Sequence, residues 1–314
     1  MSECVLALNE IPPIKTYNHH AFGTGIITTT DKGMNWIYNN YIQLSYYPQE
    51  GPLTFDFYMD YIYCQPAFDR EALSDELMNF IKWDPIKLFV AAIKQQKYVI
   101  CCVDEYYIPN REAYRQYHFK HNMIIHGFDD VAKIFYVAGY DESGKYTLQT
   151  ITYKELKQAS PSKVNILGFR KGLDYELVVP YIDRQIKQYN GDVLLDPVGS
   201  YPKEGRLVGV QAVNAMLEDV CNAIKEGEPV DVRPISILME HRQLMYKRLQ
   251  ELASLNIISQ EVRDAFVEQV QNCERFRNRV FLYNVRQDEK DLGSLMELQG
   301  KLRDIRMPNV CDFI

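Results

Sequence analysis

The sequence has little of what marks several classes of protein. Its 35 lysines and arginines are outnumbered by 42 aspartates and glutamates. The resulting net charge of −7 argues against nucleic acid or an anionic membrane surface as a partner. No basic segment precedes an apolar run at the N-terminus, and the apolar run 88–93 is too short to cross a bilayer. We therefore expect a soluble, cytoplasmic protein.

The cysteines have no CxxC spacing, although there are seven of them. An odd number without a secretion signal predicts reduced thiols, most of them buried as small apolar side chains. The adjacent Cys101 and Cys102 lie in an apolar run that predicts a strand, so their side chains would point to opposite faces and could not hold one metal ion together. The other five are Cys4, Cys64, Cys221, Cys273 and Cys311.

The first half of the chain predicts a mixed α/β domain. Its apolar spacing and turn residues place helices over 20–30, 36–46 and 84–96. Strands follow over 98–103, 121–126, 133–139 and 146–152, and a short helix follows over 153–159. The run 98–103 is apolar without interruption, which indicates a strand buried on both faces. Because short turns separate the last three strands, they should form an antiparallel meander.

The second half is different in character. Helical apolar spacing runs through 173–189, 205–225, 235–255 and 260–284, with charged residues on the opposite faces. A chain of 314 residues can bury two cores of ordinary size. We therefore predict two domains, an α/β domain over 1–160 and a mainly helical domain over 161–314.

The candidate catalytic residues lie around one apolar strand. His121 opens this strand, Gly127-Phe128-Asp129 ends it, and Asp141 follows the next strand. An imidazole can activate a nucleophile when a carboxylate fixes its tautomer and orientation. Neighbouring antiparallel strands lie about 5 Å apart, so His121 and Asp141 can meet. We predict that His121 is the base and that Asp141 orients it. The alternative, an edge histidine and a turn aspartate that are merely near each other, stays open on these residues alone.

The segment 121–129 resembles the histidine strand of papain-like acyltransferases and peptidases. More closely, the chain resembles the butirosin-type acyltransferases, relatives of the amide-forming enzyme of closthioamide assembly that occur beside nonribosomal peptide machinery. The resemblance rests on 121–129 with Asp141 and, less specifically, on the segments 18–21, 36–44 and 240–245. It implies a papain-like cysteine-protease fold with an N-terminal helix and an antiparallel sheet. It also implies that the helical domain covers the cleft.

One residue departs from the pattern of that family. A His-Cys pair begins the first helix of the family, whereas here Ala21 follows His20. Ala21 can be an inactivating substitution, it can mark a naturally non-catalytic relative, or the register can be shifted so that Thr24 is the position to inspect. We favour the first interpretation because the rest of the motif is intact.

The function implied by the resemblance is acyl transfer. An acyl or aminoacyl group would pass from a carrier-protein thioester to a cysteine and then to a small amine, which forms an amide in antibiotic biosynthesis. No cofactor of its own is implied, because the acyl or peptidyl carrier protein delivers the phosphopantetheine arm. Hydrolysis, as a cysteine peptidase or thioesterase, and a non-catalytic carrier-binding role remain alternatives. The predicted oxyanion and substrate-binding residues are Asn18, His19, His20, Tyr106 and Tyr107.

Two further clusters of residues could bind a ligand. A metal site could draw on His118, His121 and His126, with His19 and His20 adjacent, but odd spacings along a strand point side chains to opposite faces. We therefore predict no metal site. Glu240, His241 and Arg242, with Arg248, share one predicted helix. They could dock a phosphate or a carboxylate, although a solvated helix face is the more common outcome.

Overall fold

The computed structural model of the protein describes residues 2–58, 67–170, 175–193, 205–286 and 292–310. These residues form a mixed α/β structure with an antiparallel sheet and C-terminal helices. Chain contacts divide it into unit 1, made of Met1–Gly33 and Asp60–Asp174, and unit 2, made of Met34–Met59 and Tyr175–Ile314. Within the described ranges, no helix has both the length and the apolar character needed to traverse a lipid bilayer.

The strands are, in chain order, β1 (Glu3–Val5), β2 (Leu44–Tyr46), β3 (Asp56–Phe57), β4 (Phe68–Ala72), β5 (Tyr98–Asp104), β6 (Lys120–Asp129), β7 (Ile134–Tyr140), β8 (Tyr146–Thr152), β9 (Ser162–Phe169) and β10 (Leu207–Val208). The helices are α1 (Asn18–Ile27), α2 (Gly33–Asn40), α3 (Asp75–Phe80), α4 (Pro85–Lys94), α5 (Tyr153–Gln158), α6 (Val179–Asn190), α7 (Gly209–Lys225), α8 (Arg233–Ser254), α9 (Gln260–Ala265), α10 (Val267–Arg286) and α11 (Leu292–Leu302).

Unit 1 contains one antiparallel sheet, with seven strands among the described residues. The order is β4-β9-β5-β6-β7-β8, and β1 pairs with the far part of β6. The predicted antiparallel arrangement of the strands over 121–152 is confirmed as β6, β7 and β8. Six of the seven residues of β5 are buried, as its uninterrupted apolar run predicts for a strand covered on both faces. The sequence did not predict β9, which pairs with the other side of β5.

The helix α1 is a buried element of unit 1. Eight consecutive residues, His20–Ile27, are buried, so the helix is enclosed around its whole circumference after its first two residues. No side chain caps its N-terminus, and its first turn holds no acidic residue. The positive end of the helix dipole is therefore not neutralised by a neighbouring side chain of the first turn.

Unit 2 combines a small sheet, β10-β2-β3, with helix α2 and helices α6 to α11. Its polar core explains why residues 34–59 belong to it. The fully buried Arg248 donates to the carbonyl groups of Tyr38 and Tyr41, at 2.7 and 2.8 Å, and so satisfies acceptors at the C-terminal end of α2. The Nε2 atom of His241 lies 2.8 Å from the carbonyl oxygen of Ile42.

The two units divide the chain differently from the predicted ranges 1–160 and 161–314. Residues 34–59 join the second unit through the contacts of α8, and β9 extends the first unit past residue 160 because it completes the sheet beside β5. The predicted helix over 36–46 ends at Asn40, after which Leu44–Tyr46 forms a strand. The predicted helix over 260–284 is interrupted at Phe266, which separates α9 from α10.

Candidate active site

His121 lies near the start of β6, opposite the end of β5. The pairing register sets Val103 beside His121, so the residues that follow β5 reach the level of the imidazole. Glu105 comes directly after β5 and begins a short 3₁₀ turn. Its Oε1 atom is 3.0 Å from Nδ1 of His121, and its side chain is almost completely buried. The carboxylate that orients the imidazole therefore comes from the strand before His121 in the chain.

The second ring nitrogen of His121 faces the first residue of α1. The Nδ2 atom of Asn18 lies 3.0 Å from Nε2 of His121. With a proton on Nδ1 donated to Glu105, Nε2 carries a lone pair that accepts the Asn18 amide N–H. In this arrangement Nε2 is the ring nitrogen that could act as a base, and it faces the N-terminus of α1.

A buried arginine supports Glu105. Arg111 is only 3% exposed; its Nε atom lies 3.9 Å from Oε1 of Glu105, and its Nη1 atom donates to the carbonyl oxygen of Tyr140. Burial lowers the pKa of the Arg111 guanidinium, and the charge of Glu105 opposes that shift. Gly139 makes room for it, because a Cβ atom there would lie 2.6 Å from one guanidinium nitrogen. The guanidinium thus offers a positive charge to the Glu105 carboxylate from inside the sheet.

Asp141, the predicted orienting residue, is used elsewhere. Its Oδ1 atom accepts hydrogen bonds from the Ser143 hydroxyl at 2.6 Å and from the backbone N–H groups of Ser143 and Lys145. The Ser143 hydroxyl is the largest cause of a lowered Asp141 pKa. These bonds tie Asp141 into the tight turn between β7 and β8. The predicted contact between His121 and Asp141 is therefore replaced by the contact between His121 and Glu105.

Ala21, the predicted nucleophile position, is fully buried one turn inside α1. Its backbone N–H donates to the carbonyl oxygen of Tyr17 at 3.0 Å. Thr24 is also fully buried, and its hydroxyl donates to the carbonyl oxygen of His20. Asn18, which was predicted as an oxyanion or substrate-binding residue, is the α1 side chain that contacts the imidazole. Among the described residues, no cysteine thiol lies within hydrogen-bond reach of His121.

The remaining predicted binding residues make ring contacts with residues other than His121. The rings of His19 and His20 are 4.2 Å apart, and His20 is fully buried. Tyr106 and Tyr107 pack against each other, and Tyr106 stacks on His118 at 4.5 Å rather than on His121. These two tyrosines therefore pack against the imidazole of His118.

The histidines that were weighed for a metal site have separate partners. His118 Nδ1 lies 2.7 Å from Oδ2 of Asp104, and His126 Nδ1 lies 2.9 Å from the carbonyl oxygen of Leu6. Among the described residues, neither side chain shares a hydrogen-bond partner with His121, whose two ring nitrogens contact Glu105 and Asn18.

The charged group on α8 is buried rather than solvated. Glu240, His241, Arg242 and Arg248 are each at most 3% exposed. Arg242 donates to the Tyr189 hydroxyl at 3.1 Å, and Arg248 caps α2 as described above. Neither the docking surface nor the solvated helix face that the sequence suggested is present. These residues belong to the core of unit 2. The apolar spacing of the helix did not predict that these charged side chains would be buried.

No protein-family model matches the chain, and a search of the curated proteins finds no match either. The chemistry of the site is therefore inferred from its own residues.

Proposed function

We propose that unit 1 is a papain-like acyl-transfer domain whose base is intact and whose nucleophile position holds Asn18. In this proposal the chain binds an acyl thioester, delivered on the phosphopantetheine arm of a carrier protein, but forms no acyl-enzyme. The observation that carries the proposal is the pairing of His121 with Glu105 on one ring nitrogen and with the first residue of α1 on the other.

The support for a base comes from the orientation of His121. Glu105 and Arg111 together fix the ring from the Nδ1 side, and the ring keeps about a third of its surface exposed. A histidine that only stabilised the fold would have no need of a partly exposed ring whose Nε2 atom faces the first residue of a helix. Imidazoles held in this way accept a proton from a thiol, a hydroxyl group or an amine.

The support for acyl chemistry comes from α1. The uncapped N-terminus of this helix and the carboxamide N–H of Asn18 lie on the Nε2 side of His121. Both are donors or positive dipole ends, which stabilise negative charge that develops on a carbonyl oxygen. A thiol in place of the Asn18 carboxamide would meet the same base and the same helix end, the conditions that lower a cysteine pKa.

The absence of a nucleophile follows from the chemistry of Asn18. A carboxamide does not attack a thioester, so residue 18 supplies no nucleophile for the covalent step of the enzymes that the chain resembles. We therefore infer that this chain binds the acyl group without forming an acyl-enzyme.

The test is to place a thiol at two positions of α1. The sulfur of Asn18→Cys should face His121 and should react with iodoacetamide at pH 7 faster than a free thiol of pKa about 8.5. Adding His121→Ala should remove that acceleration. Ala21→Cys is the matched control, because residue 21 is fully buried and a thiol there should react only on unfolding. Peptide mapping distinguishes both positions from the natural cysteines.

Acyl chemistry is tested with pantetheine thioesters. The Asn18→Cys protein should gain an acyl adduct at residue 18, visible by intact mass, whereas the unsubstituted chain should gain none. Equal reactivity of residue 18 with and without His121 would contradict the proposed base. An amide released by the unsubstituted chain from a thioester and an amine would instead show that His121 deprotonates the amine directly, and our claim of no turnover would fall.

A further inference from the structure

The segment that leads into β6 is unusual in its exposure. Residues 115–120 are all exposed, yet two of them carry large aromatic side chains. Tyr117 is 46% exposed and Phe119 is 45% exposed. Single exposed aromatic residues are common, but two in one short segment next to a candidate base indicate a binding surface.

The backbone of this segment is held in place on both sides of Phe119. Its N–H donates to Oδ1 of Asp104 at 3.3 Å, and its carbonyl oxygen accepts the N–H of Glu105 at 2.8 Å. The N–H of Tyr117 donates to the carbonyl oxygen of Ala113 at 3.3 Å. The exposed rings therefore stand on an ordered backbone. Asp104, the last residue of β5, and Glu105, which follows it, hold Phe119 and His121 next to each other.

The aromatic surface reaches the imidazole itself. The ring centroids of Phe119 and His121 are 5.4 Å apart, and those of Tyr117 and Phe119 are 6.4 Å apart in an edge-on arrangement. Tyr140 stacks against His121 at 6.2 Å. The Tyr117 hydroxyl bonds to Glu112, so its polar end already has a partner and its ring face remains for apolar contact.

We propose that Tyr117 and Phe119 bind the apolar acyl group of the substrate, an inference that rests on the proposed function of the His121 site. An acyl carbonyl that approaches the exposed part of the His121 ring would have its chain beside the Phe119 ring, whose centroid lies 5.4 Å from that of the imidazole. Burying aliphatic or aryl carbons against these rings would favour hexanoyl and phenylacetyl groups over acetyl. The side chains of this surface select for apolar bulk rather than for charge.

The experiment measures equilibrium binding to the unsubstituted chain, which performs no covalent step in our proposal. The probes are the acetyl, hexanoyl and phenylacetyl thioesters of pantetheine, titrated by calorimetry. Hexanoyl and phenylacetyl should bind roughly tenfold more tightly than acetyl, the gain expected when about two methylene equivalents are buried. Phe119→Ser should remove that preference, and Phe119→Leu should restore part of it.

The matched control is Phe80→Ser. Phe80 is also in unit 1, on α3, and is 85% exposed. Its substitution should leave the preference unchanged, and circular dichroism should show all variants folded. Equal affinity for the three thioesters in the unsubstituted chain would overturn the inference, as would a preference that survives Phe119→Ser. The iodoacetamide reaction at residue 18 of Asn18→Cys is independent of these affinities, so failure of the base and failure of the acyl surface are distinguishable.

Discussion

Gly139→Ala is the sharpest test of the network behind His121. A Cβ atom at residue 139 would lie 2.6 and 2.7 Å from the two terminal nitrogens of Arg111, closer than non-bonded atoms approach. Because Arg111 is 3% exposed, its guanidinium cannot swing into solvent without leaving the core. It must lose its hydrogen bond to the Tyr140 carbonyl and move relative to Glu105.

The magnitude follows from the two effects that oppose each other. A lost hydrogen bond to a charged group costs about 1.5–3 kcal/mol. Replacing glycine by alanine in a permitted conformation returns about 0.4–1 kcal/mol by restricting the unfolded chain. We expect a net loss of about 1–2 kcal/mol in the free energy of unfolding of unit 1, measured by urea titration. In the Asn18→Cys background, the alkylation of residue 18 should slow because Glu105 no longer holds the imidazole in place.

Gly168→Ala is the matched control in the same sheet. Its added Cβ atom would meet Cγ of Lys97 at 3.4 Å, an ordinary contact, so stability should stay unchanged or rise slightly. A double-mutant cycle completes the test. In an Arg111→Ala background, Gly139→Ala should lose most of its cost, because the group that it displaces is gone. Equal costs in the two backgrounds would refute the steric argument.

Two predictions concern buried groups that no catalytic step uses. Burial lowers the pKa of His126 below its ordinary 6.5. The contribution of the neutral His126 ring to the free energy of unfolding should be complete above about pH 6.5 and should be lost as the pH falls toward the folded-state pKa. His126→Asn keeps a donor for the Leu6 carbonyl, but it should make the unfolding midpoint less dependent on pH between pH 7 and 5. Arg248→Met removes both bonds to the carbonyl groups of α2 and should destabilise unit 2 by about 3–5 kcal/mol, whereas Arg233→Met, at a half-exposed side chain, should cost less than about 0.5 kcal/mol. A flat pH profile in the unsubstituted chain, or equal costs for the two arginines, would contradict these predictions.

The sheet was predictable where single strands carry their own signal. β5 to β8 combine apolar residues with turn residues at their ends, and α4 begins at Asp84-Pro85, where Asp84 caps the helix. β4 has no such signal, because four of its five residues are exposed and this edge strand lacks an apolar pattern. β9 contains apolar residues, but it falls in the predicted boundary between the two domains. Both strands exist through their pairing with each other and with β5, which a local pattern does not contain.

The orienting carboxylate shows a second limit of the same kind. Asp141 is the carboxylate that the sequence predicts, because it follows the strand after His121 in the chain. An inner strand has two neighbours, and the register of β5 brings Glu105 to the imidazole from the other side. A carboxylate directly after an apolar strand, at the level of a histidine on the next strand, was the available signal. Asp141 instead accepts hydrogen bonds from groups of the β7–β8 turn, as aspartates at the start of a turn often do.

The position of the nucleophile depends on where α1 begins. Asn18 and Ala21 are three residues apart, so they share a helix face and differ mainly by a rise of about 4.5 Å along the axis. A motif alignment that fixes the face cannot choose between them, because helix ends are uncertain by one or two residues. The 3.0 Å contact between Nδ2 of Asn18 and Nε2 of His121 is the reason why our proposal uses residue 18 rather than residue 21. There the amide of Asn18 gives Nε2 a neutral donor, and Glu105 accepts from Nδ1. Both ring nitrogens are thus satisfied without a thiol, which is why we propose a base that has no nucleophile beside it.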